Sequence, residues 1–113
     1  MAESKQASLR QENHIAKKTG GKVQSNSGGT RFGGGDVLTE HFFIEAKTTT
    51  KEQQGFAIKR QYIEKMREQA FEQGKHYSAL AFRFAPGGKD YYVISEDLFL
   101  TLLKHITQLE GGN

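Results

Sequence analysis

Apolar and polar residues alternate in several short segments of the chain, which is the pattern of β-strands with two different faces. Residues on either side of Glu40-His41 predict two strands joined by a tight turn, and "PGGK" at 86–89 predicts a second turn. The predicted strands cover 23–25, 37–39, 42–47, 76–85 and 90–95.

Three further segments have the three-to-four residue period of amphipathic helices. Ser8 followed by Gln11 forms a capping-box pattern, which predicts a helix from Ser8 to Gly20-Gly21. A second helix is predicted over 56–73, ending at Gly74. Ser95 is the expected cap of the third helix. Its predicted buried stripe consists of Leu98, Leu102, Leu103, Ile106 and Leu109.

The predicted element order is α-β-β-β-α-β-β-α, without an internal repeat. Together with the length of 113 residues, this order predicts a single domain over 1–113. We expect an α/β protein in the broad sense, an α+β fold with a mixed sheet flanked by helices.

The region before Asp36 differs in composition from the rest. It holds few large aliphatic residues, and seven of the 13 glycines lie between positions 20 and 35. The segment 26–35, "NSGGTRFGGG", is predicted to be a mobile loop that can move on binding a partner, with a plain disordered linker as the alternative.

The N-terminal helix and its flanks are basic, and the whole chain has a formal net charge of +3. A basic arm indicates a polyanionic partner, although a solvated surface explains the charge equally well. The chain has no cysteine, which favours an intracellular, cytoplasmic location. No apolar run is long enough for a membrane span, so no membrane partner is expected.

Two charged residues interrupt the best strand candidate, "FFIEAK" at 42–47. Alternation places Phe43, Glu45 and Lys47 on one face, and a hairpin could bring the Asp36 carboxylate beside Glu45. Two close carboxylates repel each other unless a cation lies between them, and Mg²⁺ prefers such oxygen ligands. The alternative is an edge strand on which Glu45 and Lys47 form an ordinary surface pair.

A third acid occupies an unusual position in the first helix. Glu12 falls near the centre of an apolar arc formed by Leu9, Ile15 and Ala16. A buried carboxylate needs a partner such as a cation, a lysine or a backbone amine. Glu12 could therefore converge on the same place as Asp36 and Glu45.

This set of residues suits phosphodiester hydrolysis, which needs a metal ion, an activated water and a compensating positive charge. Asp36 and Glu45 would hold Mg²⁺, for which Mn²⁺ is expected to substitute, and the Ala46 carbonyl is a possible further ligand. Lys47 would orient or deprotonate the water.

Asp36 and Glu45-Ala46-Lys47 resemble the acid and E-x-K elements of the PD-(D/E)XK nuclease superfamily. The similarity to small archaeal and phage Holliday junction resolvases extends over roughly residues 5 to 103. The elements that carry it occur in the order Glu12, Ser27-Gly28, Gly35-Asp36, Glu45-Ala46-Lys47 and Gln61.

The resemblance implies a restriction-endonuclease-like αβββαββα core and a Mg²⁺-dependent endonuclease that cuts four-way DNA junctions as a homodimer. It implies that Glu12, Asp36 and Glu45 bind the metal or its water, and that Lys47 is the catalytic lysine. Ser27 would contact the backbone near the scissile phosphate, and Gln61 would support the site. A glycine replaces the proline that usually precedes the aspartate, a change that the resolvase branch tolerates. Candidates for DNA binding are Lys17, Lys18, Lys22, Arg31, Lys51 and Arg60.

Two other functions stay open. The chain could be another nuclease of the superfamily that acts on flaps, ends or mismatches. It could also be a non-catalytic nucleic-acid-binding module in which the carboxylates are structural.

Overall fold

The computed structural model describes residues 2–24 and 34–111, which form one mixed five-stranded sheet and three helices. The strand order is β1-β2-β3-β4-β5; β3 and β4 are parallel and the other neighbours antiparallel. The expected α+β class is confirmed. The elements are α1 (Ala2–Thr19), β1 (Lys22–Gln24), β2 (Gly34–Leu38), β3 (Phe42–Lys47), α2 (Arg60–Glu72), β4 (Tyr77–Phe82), β5 (Tyr91–Val93) and α3 (Glu96–Gly111). Within the described ranges, no helix has the length and apolar character needed to cross a bilayer.

Helix α1 begins at Ala2, about two turns earlier than predicted, so Ser8 is not its cap. The preceding residues include alanine, glutamate, lysine and glutamine, which favour helix strongly. The Ser8 hydroxyl instead donates a 2.6 Å hydrogen bond to Glu12 within the helix. The predicted end is confirmed: Gly20 has a φ of 75°, and the Gly21 N–H donates to the Ala16 carbonyl.

Strand β2 begins at Gly34, so the last two residues of the predicted 26–35 loop, Gly34 and Gly35, belong to the sheet. Residues 26–33, among them Ser27 and Arg31, lie outside the described residues. The predicted turn after β2 is confirmed, because the Thr39 hydroxyl accepts a 2.9 Å hydrogen bond from the Phe42 N–H.

Helix α2 is shorter than predicted and begins at Arg60. Phe56 lies before it in the connection from β3 and stacks on Phe82, with ring centroids 4.7 Å apart. Phe56 thus packs from a non-helical segment, which the helical period of the sequence could not distinguish from helix, whereas Ile58 in the same segment is exposed. The helix ends before Gly74, whose φ is 72°, as predicted.

The hairpin β4–β5 is confirmed, with strands shorter than the predicted 76–85 and 90–95. Gly87 has a φ of 74°, and the Gly88 N–H donates to the Ala85 carbonyl in the connection.

The sheet has a helix on each face, and the alternation of β3 separates them. Ile44 and Ala46 pack with Ile15 of α1, together with Val37 and Ala81. Phe43, on the opposite face, packs with α2, in a cluster that also holds Met66, Ala70 and Leu80. Because Glu45 and Lys47 alternate in step with Phe43, they lie on the α2 face.

Helix α3 contradicts the predicted burial pattern. Its cap is confirmed, since the Ser95 hydroxyl accepts a 3.1 Å hydrogen bond from the Leu98 N–H. Only Leu98 of the predicted stripe is buried, whereas Leu102, Leu103, Ile106 and Leu109 are exposed. Helix α3 has the predicted amphipathic period, but no other described element covers its apolar face. Leu9 of α1, placed by prediction on the buried arc, is likewise exposed.

Candidate active site on strands β2 and β3

The two strand acids lie directly opposite each other. Asp36 of β2 pairs with Glu45 of β3 in the antiparallel register, as the sequence predicted. Directly opposed residues have Cβ atoms about 4.5–5.5 Å apart and side chains on the same face. Strand β3 lies between β2 and β4, and the Glu45 side chain is 8% exposed. An edge strand with a surface ion pair is therefore excluded.

Lys47 lies beside this acid pair. Its ammonium nitrogen is 3.7 Å from a Glu45 carboxylate oxygen and 4.2 Å from the centre of the Tyr62 ring. The Lys47 side chain is 25% exposed, so part of it faces solvent. A carboxylate and an aromatic face together hold the positive charge in place, while a ligand can still approach it.

Tyr62 is a site residue that the sequence analysis missed. It follows Gln61 in the first turns of α2, is half-buried and packs into the Phe43 cluster. Gln61 itself is exposed. The helical period indicated that Tyr62 faces the sheet, but only the parallel crossover shows that Lys47 lies under its ring.

Glu12 is buried as predicted, but on the other face of the sheet from Asp36 and Glu45, because it belongs to α1. Its partner is the Ser8 hydroxyl, not one of the predicted cations or amines. Burial raises the pKa of Glu12 above its ordinary value, and the Ser8 hydrogen bond opposes that rise. Among the described residues, no three His, Cys, Asp or Glu side chains form a metal-binding group. The structure thus brings together two of the three predicted acids.

A second buried charge cluster was not anticipated. Arg83 donates two hydrogen bonds to the Asp90 carboxylate, at 2.8 and 3.0 Å, and Gln11 of α1 donates another at 2.9 Å. His14 lies 3.9 Å from the same carboxylate. In the sequence, this cluster is indicated by an arginine, Arg83, inside the apolar run "AFRF". Its partner seven residues later could not be identified from periodicity.

The described basic residues proposed to bind DNA are all exposed, which leaves their charges available to a polyanion. Arg60 forms a 2.9 Å ion pair with Glu64 one turn later in α2. The exposed candidates are Lys17, Lys18, Lys22, Lys51 and Arg60.

The Asp36–Glu45 pair fits Mg²⁺ by its donor chemistry. Magnesium is commonly bound through one or two carboxylates, with waters and substrate phosphates completing the octahedron. Two opposed carboxylates on one face satisfy that requirement without Glu12. Ala46 lies within the central strand, so its carbonyl lies in the plane of the sheet. Backbone groups in that plane form hydrogen bonds with the neighbouring strands.

A surface depression of about 570 Å³ lies near the end of α2 and the start of β4. None of the candidate site residues lines it. A nucleic-acid backbone is an extended ligand that binds on open surface, so the acid pair does not need an enclosed cavity.

The sequence matches no protein-family model, and no curated protein is significantly similar to it.

Proposed function

We propose that the protein is a Mg²⁺-dependent, structure-selective DNA endonuclease that hydrolyses phosphodiesters at four-way junctions as a homodimer. The observation that supports hydrolysis is the pairing of Asp36 with Glu45 on one face, with the Lys47 ammonium 3.7 Å from Glu45. The choice of the four-way junction comes from the resemblance to small resolvases. The proposal places the protein in the cytoplasm, that of the host if the chain is phage-encoded.

Each residue has a distinct role in this proposal. Asp36 and Glu45 would hold Mg²⁺, which supplies positive charge to the scissile phosphate. Lys47 orients the attacking water and offsets the negative charge that develops on the phosphate. Tyr62 keeps the Lys47 ammonium in place through its ring face.

The exposed lysines and arginine would bind the DNA backbone. Phosphate contacts release counterions, so binding should weaken steeply as the salt concentration rises. Ser27, a contact implied by the resemblance, and Arg31, a candidate chosen for its positive charge, lie outside the described residues and stay predictions.

A labelled four-way junction incubated with the protein and Mg²⁺ provides the test. We expect symmetric nicks in two strands near the crossover, with Mn²⁺ able to replace Mg²⁺. Flap, mismatched and linear duplexes of the same sequence serve as controls. Absence of cutting on every substrate would contradict the nuclease proposal, whereas cutting of flaps or ends in preference to junctions would favour another nuclease of the superfamily.

A non-catalytic nucleic-acid-binding module is the second candidate. It is favoured by the position of Glu12 on the opposite side of the sheet and by the lack of a three-residue metal group among the described side chains. This candidate predicts that Asp36→Asn changes no activity and that Mg²⁺ adds no thermal stability. The nuclease proposal predicts a higher melting temperature with Mg²⁺ in the wild type and loss of that increase in Asp36→Asn.

A further inference from the structure

Helix α3 presents an apolar face that the described part of the chain leaves uncovered. Phe99, Leu102, Leu103, Ile106 and Leu109, which we call the α3 stripe, are 40–82% exposed. Within the described ranges, α3 packs closely against none of the other helices or strands. Folded monomers rarely expose a contiguous apolar patch larger than a few hundred Å², so such a surface indicates an interaction site.

The spacing within the α3 stripe is that of a helix-pairing seam. Phe99, Leu102, Ile106 and Leu109 follow one another by three, four and three residues. With Leu103 they fall within an arc of roughly 120° at the helical period. The 3-4 spacing allows a helix to pack against a like helix at a shallow angle, with side chains of each entering gaps of the other.

We propose that the α3 stripe binds the α3 stripe of a second copy of this chain. An isologous dimer requires a self-complementary surface, and a stripe of aliphatic and aromatic side chains at heptad spacing provides one. Between Phe99 and Leu109 this arc holds no charged residue, and Lys104 and Gln108 lie on the opposite side of the helix. Glu110 falls on the arc at the C-terminal end of α3, at the edge of the stripe. Depletion of charge is typical of the buried centre of an interface.

The size of the patch also fits a second copy. The exposed parts of the stripe total several hundred Å², a large share of the roughly 800 Å² that each partner contributes to a standard interface. Of the residues of this sequence outside the described ranges, only Met1 and Phe32 are large and apolar.

A second copy is also the partner that paired cutting of a junction needs, and to that extent the choice of partner rests on the proposed function. The uncovered stripe does not depend on catalysis. The oligomeric state can therefore be tested without DNA or metal.

Sedimentation equilibrium of the purified chain over a range of micromolar concentrations tests the proposal. We expect wild type to have twice the mass of one chain and Ile106→Glu to have the mass of one chain. Ile106 is half exposed at the centre of the stripe, so the charge should separate the copies without disturbing a core. Gln108→Glu is the matched control, since it adds the same charge on the opposite side of the helix and should stay dimeric.

Circular dichroism checks that the Ile106→Glu monomer is folded. We expect its helix content to equal that of wild type. The chain has no native cysteine, so Ile106→Cys and Gln108→Cys give a second readout with a short bismaleimide crosslinker. Ile106→Cys should yield a crosslinked dimer and Gln108→Cys should not. A monomeric wild type, or a dimer that survives Ile106→Glu, overturns the proposal, while junction cleavage is judged by its own assay.

Discussion

Each side of the sheet holds an acidic side chain out of solvent, but the two acids are held differently. Asp90, beside α1, accepts two hydrogen bonds from Arg83 and one from Gln11. Glu45, on the α2 face, lies opposite Asp36 and has one ammonium at 3.7 Å. The first carboxylate already has its charge matched within the protein. The second lies next to a like charge and beside a cation that is still open to solvent.

This difference separates a structural charge from a candidate catalytic one. A bidentate arginine fixes a carboxylate in direction as well as charge, which suits the anchoring of α1 to the β4–β5 hairpin. Opposed like charges destabilise a strand pair, so they are expected where a bound cation compensates for them. Burial alone would not have distinguished the two sites.

The largest expected effect is on DNA cutting. Glu45→Gln and Lys47→Ala should each lower the rate of junction cleavage by at least about a hundredfold, because each removes a charge that acts at the reacting phosphate. Junction binding, measured by electrophoretic mobility shift without metal, should stay near wild type. Glu40→Gln, the same substitution at an exposed acid of the same hairpin, should cut normally. Cutting by Glu45→Gln at the wild-type rate would show that the Glu45 carboxylate is not catalytic. The distinction between Glu45 and the structural Asp90 would then be lost.

The next effect is on stability and concerns the other acid. Asp90→Ala leaves the Arg83 guanidinium buried without its partner, which should lower the free energy of unfolding by about 3–5 kcal/mol. Urea denaturation followed by circular dichroism measures it. Asp97→Ala, at an exposed acid in the first turn of α3, should cost less than about 1 kcal/mol.

Glu45→Gln sharpens the same comparison, since it should lower stability much less than Asp90→Ala. It removes the repulsion with Asp36 together with the attraction to Lys47, and these changes oppose each other. An equal loss of stability for the two substitutions would mean that Glu45 is as structural as Asp90.

The sequence predicted the elements that are set by local patterns. The alternation of "FFIEAK" and the turn before it determined which side chains share a face, and this was sufficient to place Asp36 opposite Glu45. The class of the fold and its element order followed from the same periodicities. The glycines and Ser95 marked helix ends correctly because their roles depend on neighbouring residues only.

What depends on distant packing could not be predicted. The period of α3 shows an apolar face but not what covers it, so a stripe that is exposed in one chain looks the same as a core stripe. Glu12 was correctly expected to be buried, but sequence does not say on which side of a sheet a helix packs. The partner of Arg83 lies across a turn, and hairpin geometry rather than composition brings Asp90 to it.

A smaller effect is expected from Tyr62, which holds Lys47 on the α2 face. Tyr62→Leu removes a ring–ammonium attraction of about 0.5–2 kcal/mol, so the cleavage rate should fall by a factor of roughly 2 to 30. Tyr62→Phe keeps the ring face and should cut like wild type, which separates the ring from the hydroxyl. Equal losses in both variants, in single-turnover cleavage, would show that the hydroxyl and not the ring supports the site.

The smallest effect concerns Glu12 and appears as a dependence of stability on pH. Its pKa is raised by burial, so the folded state holds the proton more tightly than the unfolded chain. Stability therefore falls as pH rises from the ordinary value of 4.5 through the raised pKa, and is level above it. Relative to wild type, Glu12→Gln should lack this fall. Urea denaturation of both proteins across that range measures the difference.

The cleavage activity of Glu12→Gln tests whether Glu12 is a structural acid, like Asp90, or a catalytic one, like Glu45. Glu12→Gln keeps an oxygen that can accept the Ser8 hydrogen bond, so α1 should pack as before. Because α1 lies against the face opposite Asp36 and Glu45, this variant should cut junctions far better than Glu45→Gln. Loss of cutting as complete as in Glu45→Gln, with the fold intact, would instead place Glu12 among the catalytic acids, as the resemblance to the resolvases implies.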